Sequence, residues 1–275
     1  MQPGFTSRTL TICCVAALFS VGCEETQETF NGAQPGLQEW VSTNHNLAVR
    51  FSRLNVDDQA GGPAFAAVGD INGDSRADLV VSHLGRVNGT TIEGDGVSIY
   101  TQGVSLNEWS KEALITGGDS PLWPNDINIA DIDNDGDNDV FIGAGFFVCA
   151  FLPSGPCGAL LWMEQTPTGW IRHDIVEPGS DLFFHRAILA DLDGDGVTDL
   201  ITVGEEVPTV GPPTAVAMWF RGDLNSPKRF ETLGRELTLG LGSLPVAYDI
   251  DQDGDLDLAS AEYFGKMGAS FAWLE

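Results

Sequence analysis

Short apolar runs recur along the chain, separated by polar segments rich in glycine, asparagine and aspartate. Four times such a run ends at an aspartate, an acidic loop follows, and a second apolar run begins directly after the loop. Runs this short, without helical periodicity, predict strands. We therefore expect two strands to bracket each acidic loop. The first runs cover residues 64–69, 127–130, 187–190 and 245–248, and the second runs begin at Leu79, Val140, Leu200 and Leu258.

A third strand is predicted after each pair, and a fourth after the first three pairs. An aromatic residue marks the third run, at residues 97–100, 160–163, 217–220 and 271–274, and a fourth strand is predicted over 109–115, 170–176 and 229–237. The acidic loops begin at residues 70, 131, 191 and 249, which are 61, 60 and 58 residues apart. A period of about 60 residues suits one four-stranded blade. The predicted fold class is all-β, a β-propeller with four visible blades.

The acidic loops cover residues 70–78, 131–139, 191–199 and 249–257 and share the pattern D-x-[DN]-x-D-x-x-x-D. Side-chain oxygens recur at positions 1, 3, 5 and 9, and a backbone carbonyl near position 7 would add another. Oxygen ligands without histidine or cysteine indicate a hard cation, and a flexible cage of six to eight oxygens favours calcium over magnesium. We expect up to four calcium ions. The predicted ligands are Asp70, Asn72, Asp74, Arg76 and Asp78; Asp131, Asp133, Asp135, Asp137 and Asp139; Asp191, Asp193, Asp195, Val197 and Asp199; and Asp249, Asp251, Asp253, Asp255 and Asp257.

Position 6 of such a loop needs a small or flexible residue, and glycine stands there in three loops, as Gly136, Gly196 and Gly254. The first loop has Gly73 at position 4 and Ser75 at position 6, so we expect an irregular turn and the weakest site there. Solvated Asp-Gly turns are the alternative to metal sites. An EF-hand does not fit, since position 12 lacks the bidentate glutamate and is Val81, Ile142, Thr202 or Ser260.

The repeated loop, preceded by alanine and followed by an apolar residue as in residues 130–140 and 190–200, resembles the integrin-type FG-GAP and VCBS-like calcium-binding β-propeller repeats. The resemblance covers residues 47–275. It implies that the loop between the first two strands of each blade holds one calcium ion. It also implies a role in binding or adhesion rather than catalysis.

The four predicted blades could form a closed ring or be part of a larger propeller. Residues 47–54 read as a strand that could complete the last blade, which stops after its third strand, and this favours a closed four-bladed ring without open sheet edges. Trp40, however, lies 60 residues before Tyr100, in phase with the third-strand aromatics. That phase favours part of a larger propeller.

The N-terminus reads as an export signal, with Arg8 before a largely apolar stretch that ends at Gly22 and Cys23. The predicted organisation is a lipoprotein-like signal peptide at 1–23, a polar tether at 24–46 and a propeller at 47–275. Lipidation at Cys23 would place the protein at the outer membrane or cell surface, and simple secretion is the alternative. In the mature chain, an oxidising compartment favours a disulfide between Cys149 and Cys157 over a pair of free thiols.

Composition restricts the function classes. A net charge of −27 argues against nucleic acid and anionic lipid as partners, so membrane contact is expected only through a lipid anchor. The four histidines, at positions 45, 83, 173 and 185, form no recognised nucleophile or metal motif. We therefore expect a non-catalytic binding, adhesion or scaffold module with a protein or glycan ligand. The alternative is a polysaccharide lyase or hydrolase. Segments entering the first strands suggest a ligand surface at Trp123, Asn125, Phe184 and His185.

Overall fold

The computed structural model describes residues 38–40, 51–84, 86–88, 91–93, 96–146, 157–208, 210–211, 213–231, 234–239, 242–261 and 271–275. The chain divides into two compact units, Met1–Arg53 and Leu54–Glu275. In the first unit, β1 (Gln38–Trp40), which lies within the predicted tether, pairs antiparallel with β2 (Phe51–Arg53). The predicted signal peptide, Cys23, Cys149 and the boundary at residue 47 lie outside the described residues.

The second unit is all-β, with four antiparallel sheets of three or four strands. Sheet 1 contains β3 (Pro63–Gly69), β4 (Asp78–His83), β7 (Gly96–Gln102) and β8 (Trp109–Ile115), and a hairpin of β5 (Arg86–Asn88) and β6 (Thr91–Glu93) interrupts it after β4. Sheet 2 contains β9 (Pro124–Ala130), β10 (Asp139–Ala144), β11 (Gly158–Thr166) and β12 (Gly169–Ser180). A single 3-10 turn, Gly117–Asp119, precedes sheet 2.

Sheet 3 contains β13 (Phe183–Ala190), β14 (Asp199–Glu206), β15 (Thr214–Phe220) and β16 (Arg235–Leu239). Sheet 4 has three described strands, β17 (Gly242–Tyr248), β18 (Asp257–Ala261) and β19 (Phe271–Leu274). Each sheet has its strands in chain order, so every acidic loop joins the first strand to the second. The described part of the chain contains no helix with the length and apolar character of a membrane span.

Most predicted strands are found. The fourth strand of sheet 3 begins at Arg235 rather than at residue 229, because the chain first turns at Arg229, whose φ of 63° is left-handed. Of the strand predicted over residues 47–54, the structure describes β2, which pairs with β1.

The sheets pack face to face in chain order. Val80 and Ile99 of sheet 1 pack with Val140 and Ile142 of sheet 2. The opposite face of sheet 2 presents Phe141 and Trp162 to Leu200 and Phe220 of sheet 3, and Ile201 and Val203 of sheet 3 pack with Leu258 of sheet 4. Adjacent residues of a strand point to opposite faces, so β10 and β14, with a sheet on either side, carry buried apolar residues on both faces.

The far face of sheet 4 is exposed. Trp273 lies opposite Ala259, as Trp162 lies opposite Phe141 in sheet 2, but Trp273 is 48% exposed and Trp162 is 0% exposed. Val246, Tyr248 and Phe271 are exposed as well. The first strands β3, β9, β13 and β17 lie side by side in that order, and none of the strand packing described here closes the series into a ring.

Candidate metal centres

Loops 1 to 4 are residues 70–78, 131–139, 191–199 and 249–257, and we number their positions from 1 to 9. All four have the same backbone conformation. Position 4 has a left-handed φ, between 62° and 73°, at Gly73, Asn134, Gly194 and Gln252. Position 6 is also left-handed, at Ser75, Gly136, Gly196 and Gly254. The expectation that loop 1 is irregular is therefore wrong, because Ser75 adopts the left-handed conformation that glycine has in the other loops.

The aspartate at position 1 organises the loop by accepting backbone hydrogen bonds. In loop 2, Asp131 Oδ2 accepts from Gly136 N at 3.0 Å and Asp131 Oδ1 accepts from Asp135 N at 3.1 Å. Loops 1 and 3 repeat both bonds. Loop 4 keeps the first, from Gly254 N to Asp249 Oδ2, but Asp249 Oδ1 is buried without a hydrogen-bond partner. Carboxylates commonly accept backbone hydrogen bonds of this type in turns, so these bonds are compatible both with a metal site and with a solvated Asp-Gly turn.

The aspartate at position 9 fastens the loop to its sheet. Asp139 is 0% exposed; its Oδ2 accepts from Ile132 N at 2.9 Å and its Oδ1 accepts from Gln165 N, in β11, at 2.8 Å. Asp78 and Asp199 make the equivalent pairs of bonds. Position 9 therefore has a structural role that is independent of any ion, although each carboxylate oxygen keeps a second lone pair for a ligand.

Carboxylate oxygens from positions 1, 3 and 9 converge in three loops, with the ligand atoms within 4.8 Å of one another. The three sets are Asp131, Asp133 and Asp139; Asp191, Asp193 and Asp199; and Asp249, Asp251 and Asp257. In loop 4, Asp251 and Asp253 also converge with Glu275. Oxygen donors grouped in this way suit a hard cation such as calcium.

In loop 2, burial and the neighbouring carboxylates both disfavour the charged form of Asp139. Burial raises the pKa of Asp139 to about 7; the hydrogen bonds from Gln165 and Ile132 oppose the shift, and the charges of Asp133 and Asp135 add to it. Burial likewise raises the pKa of Asp199. A cation beside these groups would favour their charged forms and reverse such shifts.

Four residues at the ends of the third strands complete the surroundings, and the sequence reasoning missed them. The register places Thr101, Glu164, Arg221 and Glu275 opposite the position 9 aspartates of loops 1 to 4. Each directly follows its predicted third run, so the pattern contained a signal that could have found them. Glu164 adds to the negative field at Asp133, whose pKa is raised chiefly by burial.

Arginines distinguish the loops. In loop 1, the guanidinium of Arg76 pairs with Asp74, and Arg76 Nε donates to the carbonyl of Gln102 at 2.9 Å. In loop 2, Arg229 Nη2 lies 3.2 Å from Asp133 Oδ2. In loop 3, Arg221 contacts two loop carboxylates, and in loop 4 no described arginine does so.

The residues therefore fit a calcium ion best in loop 4 and in loop 2. Loop 4 has a buried orphan oxygen on Asp249 and the added carboxylate of Glu275. Loop 2 has three converging aspartates and a single arginine contact, to one oxygen of Asp133. Loop 3 fits less well, because Arg221 already contacts two of its carboxylates. Loop 1 fits less well because position 3 is Asn72 rather than an aspartate, and Arg76 pairs with Asp74.

The predicted ligand surface lies at the opposite end of the sheets, where first strands begin. His185 Nε2 lies 3.2 Å from Oε2 of Glu205, which is 1% exposed. The His185 ring packs edge-on against Phe146 and Phe183, with centroids 6.0 Å and 5.1 Å away. Phe184 is 1% exposed and lies in the core between sheets 2 and 3, so it presents no surface to a ligand.

Trp123 and Asn125 extend this group. Trp123 has a φ of 57°, an unusual conformation for a bulky residue, and Gly145 N donates to its carbonyl at 3.1 Å. The Trp123 ring lies 6.0 Å from that of Phe146, and its buried Nε1 has no hydrogen-bond partner. Asn125 is 4% exposed; its amide donates to Gly145 O at 2.5 Å, and its Oδ1 has no partner.

The described cysteine, Cys157, is buried and disulfide-bonded. Its predicted partner, Cys149, lies outside the described residues. No protein-family model matches the chain, and no curated protein matches it.

Proposed function

We propose that the chain is an exported, calcium-stabilised β-propeller protein of the FG-GAP and VCBS-like kind. It acts as a non-catalytic binding, adhesion or scaffold module at the bacterial cell surface, tethered through Cys23. Four similar sheets that pack in chain order, each with an acidic loop between its first two strands, support this proposal. The exposed far face of sheet 4 favours part of a larger propeller over a closed four-bladed ring.

The observation that carries the calcium role is the geometry of loop 4. Asp249, Asp251 and Asp257 bring their oxygens within 4.8 Å, and Asp249 Oδ1 is buried without a donor. A buried carboxylate oxygen without a hydrogen bond is costly, and a bound cation would compensate for it. Calcium would supply the charge that holds this loop against the end of β19, beside Glu275.

The partner we propose is a protein or glycan that binds where the first strands of sheets 2 and 3 begin. Trp123 and His185 are partly exposed and offer ring surfaces there, and the imidazole of His185 is also a polar group. Rings combined with a few oriented polar groups suit a sugar or a peptide. The left-handed backbone of Trp123 adds support, since conformations of this kind cluster at functional sites.

Calcium titration with thermal unfolding tests the stabilising role. We expect chelation to lower the melting temperature and calcium to restore it. At a free calcium concentration of 100 times the Kd, each site adds about 2.7 kcal/mol to the free energy of unfolding. The double variant Asp249→Asn/Asp251→Asn should lose much of this response. Asp181→Asn, an exposed carboxylate outside the loops, should keep it. A melting temperature that neither chelator nor calcium changes would refute the calcium role.

The enzyme alternative has its own readout. An enzyme acting on polysaccharide would use His185 and Glu205, the histidine–carboxylate pair beside these rings, as its acid and base. Screening for polysaccharide cleavage with the natural protein and with His185→Gln separates the classes. Cleavage that His185→Gln abolishes would show that the protein is an enzyme and contradict the proposal. Binding on a glycan or peptide array without cleavage would support the proposal.

A further inference from the structure

The residue opposite position 9 sets a different charge at each acidic loop. The register pairs Leu200 with Phe220, which places Asp199 opposite Arg221. The same position is neutral at loop 1 and acidic at loops 2 and 4. Its occupants are Thr101, Glu164 and Glu275 in loops 1, 2 and 4. Loop 3 thus has a positive charge at this position, whereas loops 2 and 4 have a negative charge there.

Arg221 uses this place to bridge two predicted calcium ligands. Its Nε lies 2.6 Å from Asp193 Oδ2, and its Nη2 pairs with Asp195 Oδ2. The guanidinium therefore spans positions 3 and 5 of loop 3. Among the described residues, no other arginine joins two ligand positions of one loop, since Arg229 contacts Asp133 and Arg76 contacts Asp74.

A guanidinium in this position has two effects on a metal ion. It engages carboxylates at two predicted ligand positions, and it remains protonated throughout the pH range of folded proteins, so it repels a divalent cation. Both Arg221 and its two partners are about one third exposed or less, so solvent screens this pair only in part. Loop 3 otherwise keeps the backbone hydrogen bonds of loop 2.

We infer that Arg221 is the built-in cation of loop 3, so that this loop keeps its shape without a metal ion while loops 2 and 4 take calcium. The inference rests on the proposed calcium role. The inference lowers the expected number of calcium ions. Loop 3 matches the acidic pattern fully, but Arg221, which lies outside the loop, prevents calcium from binding there.

Bound calcium counted after equilibrium dialysis tests the inference. Arg221→Thr, which installs the residue found opposite loop 1, should bind one more ion per chain than the natural protein. Asp193→Asn in the natural background should leave the number of ions unchanged. Arg172→Thr is the matched control, since it removes an arginine paired with Asp174 outside the loops and should also leave the number unchanged. Asp251→Asn should lose one ion and shows that the count detects loop 4.

The outcomes separate this inference from the calcium role itself. Loss of one ion in Asp193→Asn, or an unchanged number in Arg221→Thr, would overturn the inference and leave calcium binding intact. If neither the natural protein nor Arg221→Thr binds calcium, the proposed calcium role fails instead. A gain of one ion in Arg221→Thr that a second change, Asp193→Asn, removes again would assign the new ion to loop 3.

Discussion

Asp139 and Gln165 are joined by a hydrogen bond of 2.8 Å that links loop 2 to the third strand of its sheet. The second oxygen of the same carboxylate accepts from Ile132 N, inside the loop. Both oxygens of a fully buried aspartate thus bind backbone donors. Because loops 1 and 3 repeat this pair, the position 9 aspartate is a structural fastener as well as a candidate ligand.

Asp139→Ala should therefore destabilise the protein even without metal. Two buried backbone N–H groups lose their acceptor, which costs roughly 2–5 kcal/mol in total. Urea unfolding in excess chelator measures the change, and Asp137→Ala, an exposed residue of the same loop, is the control with a much smaller effect. Equal effects of the two variants in chelator would mean that Asp139 has no fastening role.

Trp162 and Trp273 should differ in their contribution to stability although they have matching register positions. Trp162 is fully buried, stacks on His173 at 4.6 Å and donates from Nε1 to Lys228 O at 3.1 Å. Trp162→Ala should lower the free energy of unfolding by about 3–5 kcal/mol. Trp273→Ala should lower it by less than about 1 kcal/mol, because the ring is half exposed. A large loss for Trp273→Ala would show that the far face of sheet 4 is covered in solution.

Asp57 should stabilise the protein above about pH 4. Its carboxylate accepts from Lys111 Nζ at 2.9 Å and from Tyr100 Oη at 2.8 Å, and these bonds, led by that from Lys111, lower its pKa to about 2. A lowered pKa contributes stability that is complete above the ordinary value of 3.8 and is lost as pH falls through about 2. The difference in unfolding free energy between the natural protein and Asp57→Asn should shrink over this interval.

Chemical unfolding from pH 6 to pH 2 measures that difference. Asp58, the neighbour of Asp57, is exposed, and Asp58→Asn is the control, which should change the unfolding free energy at pH 6 much less than Asp57→Asn does. Tyr100→Phe should lose roughly 1 kcal/mol through the missing hydrogen bond. A constant difference between Asp57→Asn and the natural protein across this range would contradict the assignment.

Asp126 should have the opposite pH dependence. Burial raises its pKa to about 6, although Ala187 N at 2.5 Å and Asn128 Nδ2 at 2.9 Å donate to its Oδ2. A raised pKa favours the folded state while the group is protonated, and this contribution is lost as pH rises from about 4 through about 6. Asp126→Asn keeps an oxygen acceptor without the charge. It should therefore be more stable than the natural protein at pH 7.5, by at most about 3 kcal/mol.

The comparison at two pH values makes this prediction specific. At pH 4 the advantage of Asp126→Asn should nearly vanish, since the natural carboxyl is then protonated in the fold. Asp174→Asn, whose partner Arg172 lies outside the acidic loops, is a control that should show no such gain at pH 7.5. An advantage of equal size at both pH values would show that burial of charge is not its cause.

The strands and the acidic loops can be predicted from the sequence, because both depend on residues close together in the chain. Short apolar runs place β4, β10, β14 and β18 directly after the acidic loops, and the repeated aspartates alone give each loop its turn-forming oxygens. Two of these predictions were wrong. Ser75 has the left-handed backbone that glycine has in the other loops, and it donates its N–H to Asp70 within the same loop at 2.7 Å. The strand predicted from residue 229 starts late, because the chain turns at Arg229, whose side chain contacts the distant Asp133.

Which charged side chains meet depends on the packing of the sheets and cannot be predicted from the loop pattern. Loop 3 matches the acidic pattern as well as loop 2 does, yet Arg221 reaches into it from the end of β15, 26 residues beyond Asp195. Phe184 and His185 are neighbours in sequence but point to opposite sides of β13, so one lies in the core and the other against Glu205. Local patterns specify backbone conformation, whereas burial and electrostatic environment depend on which strand ends the packing of sheets brings together.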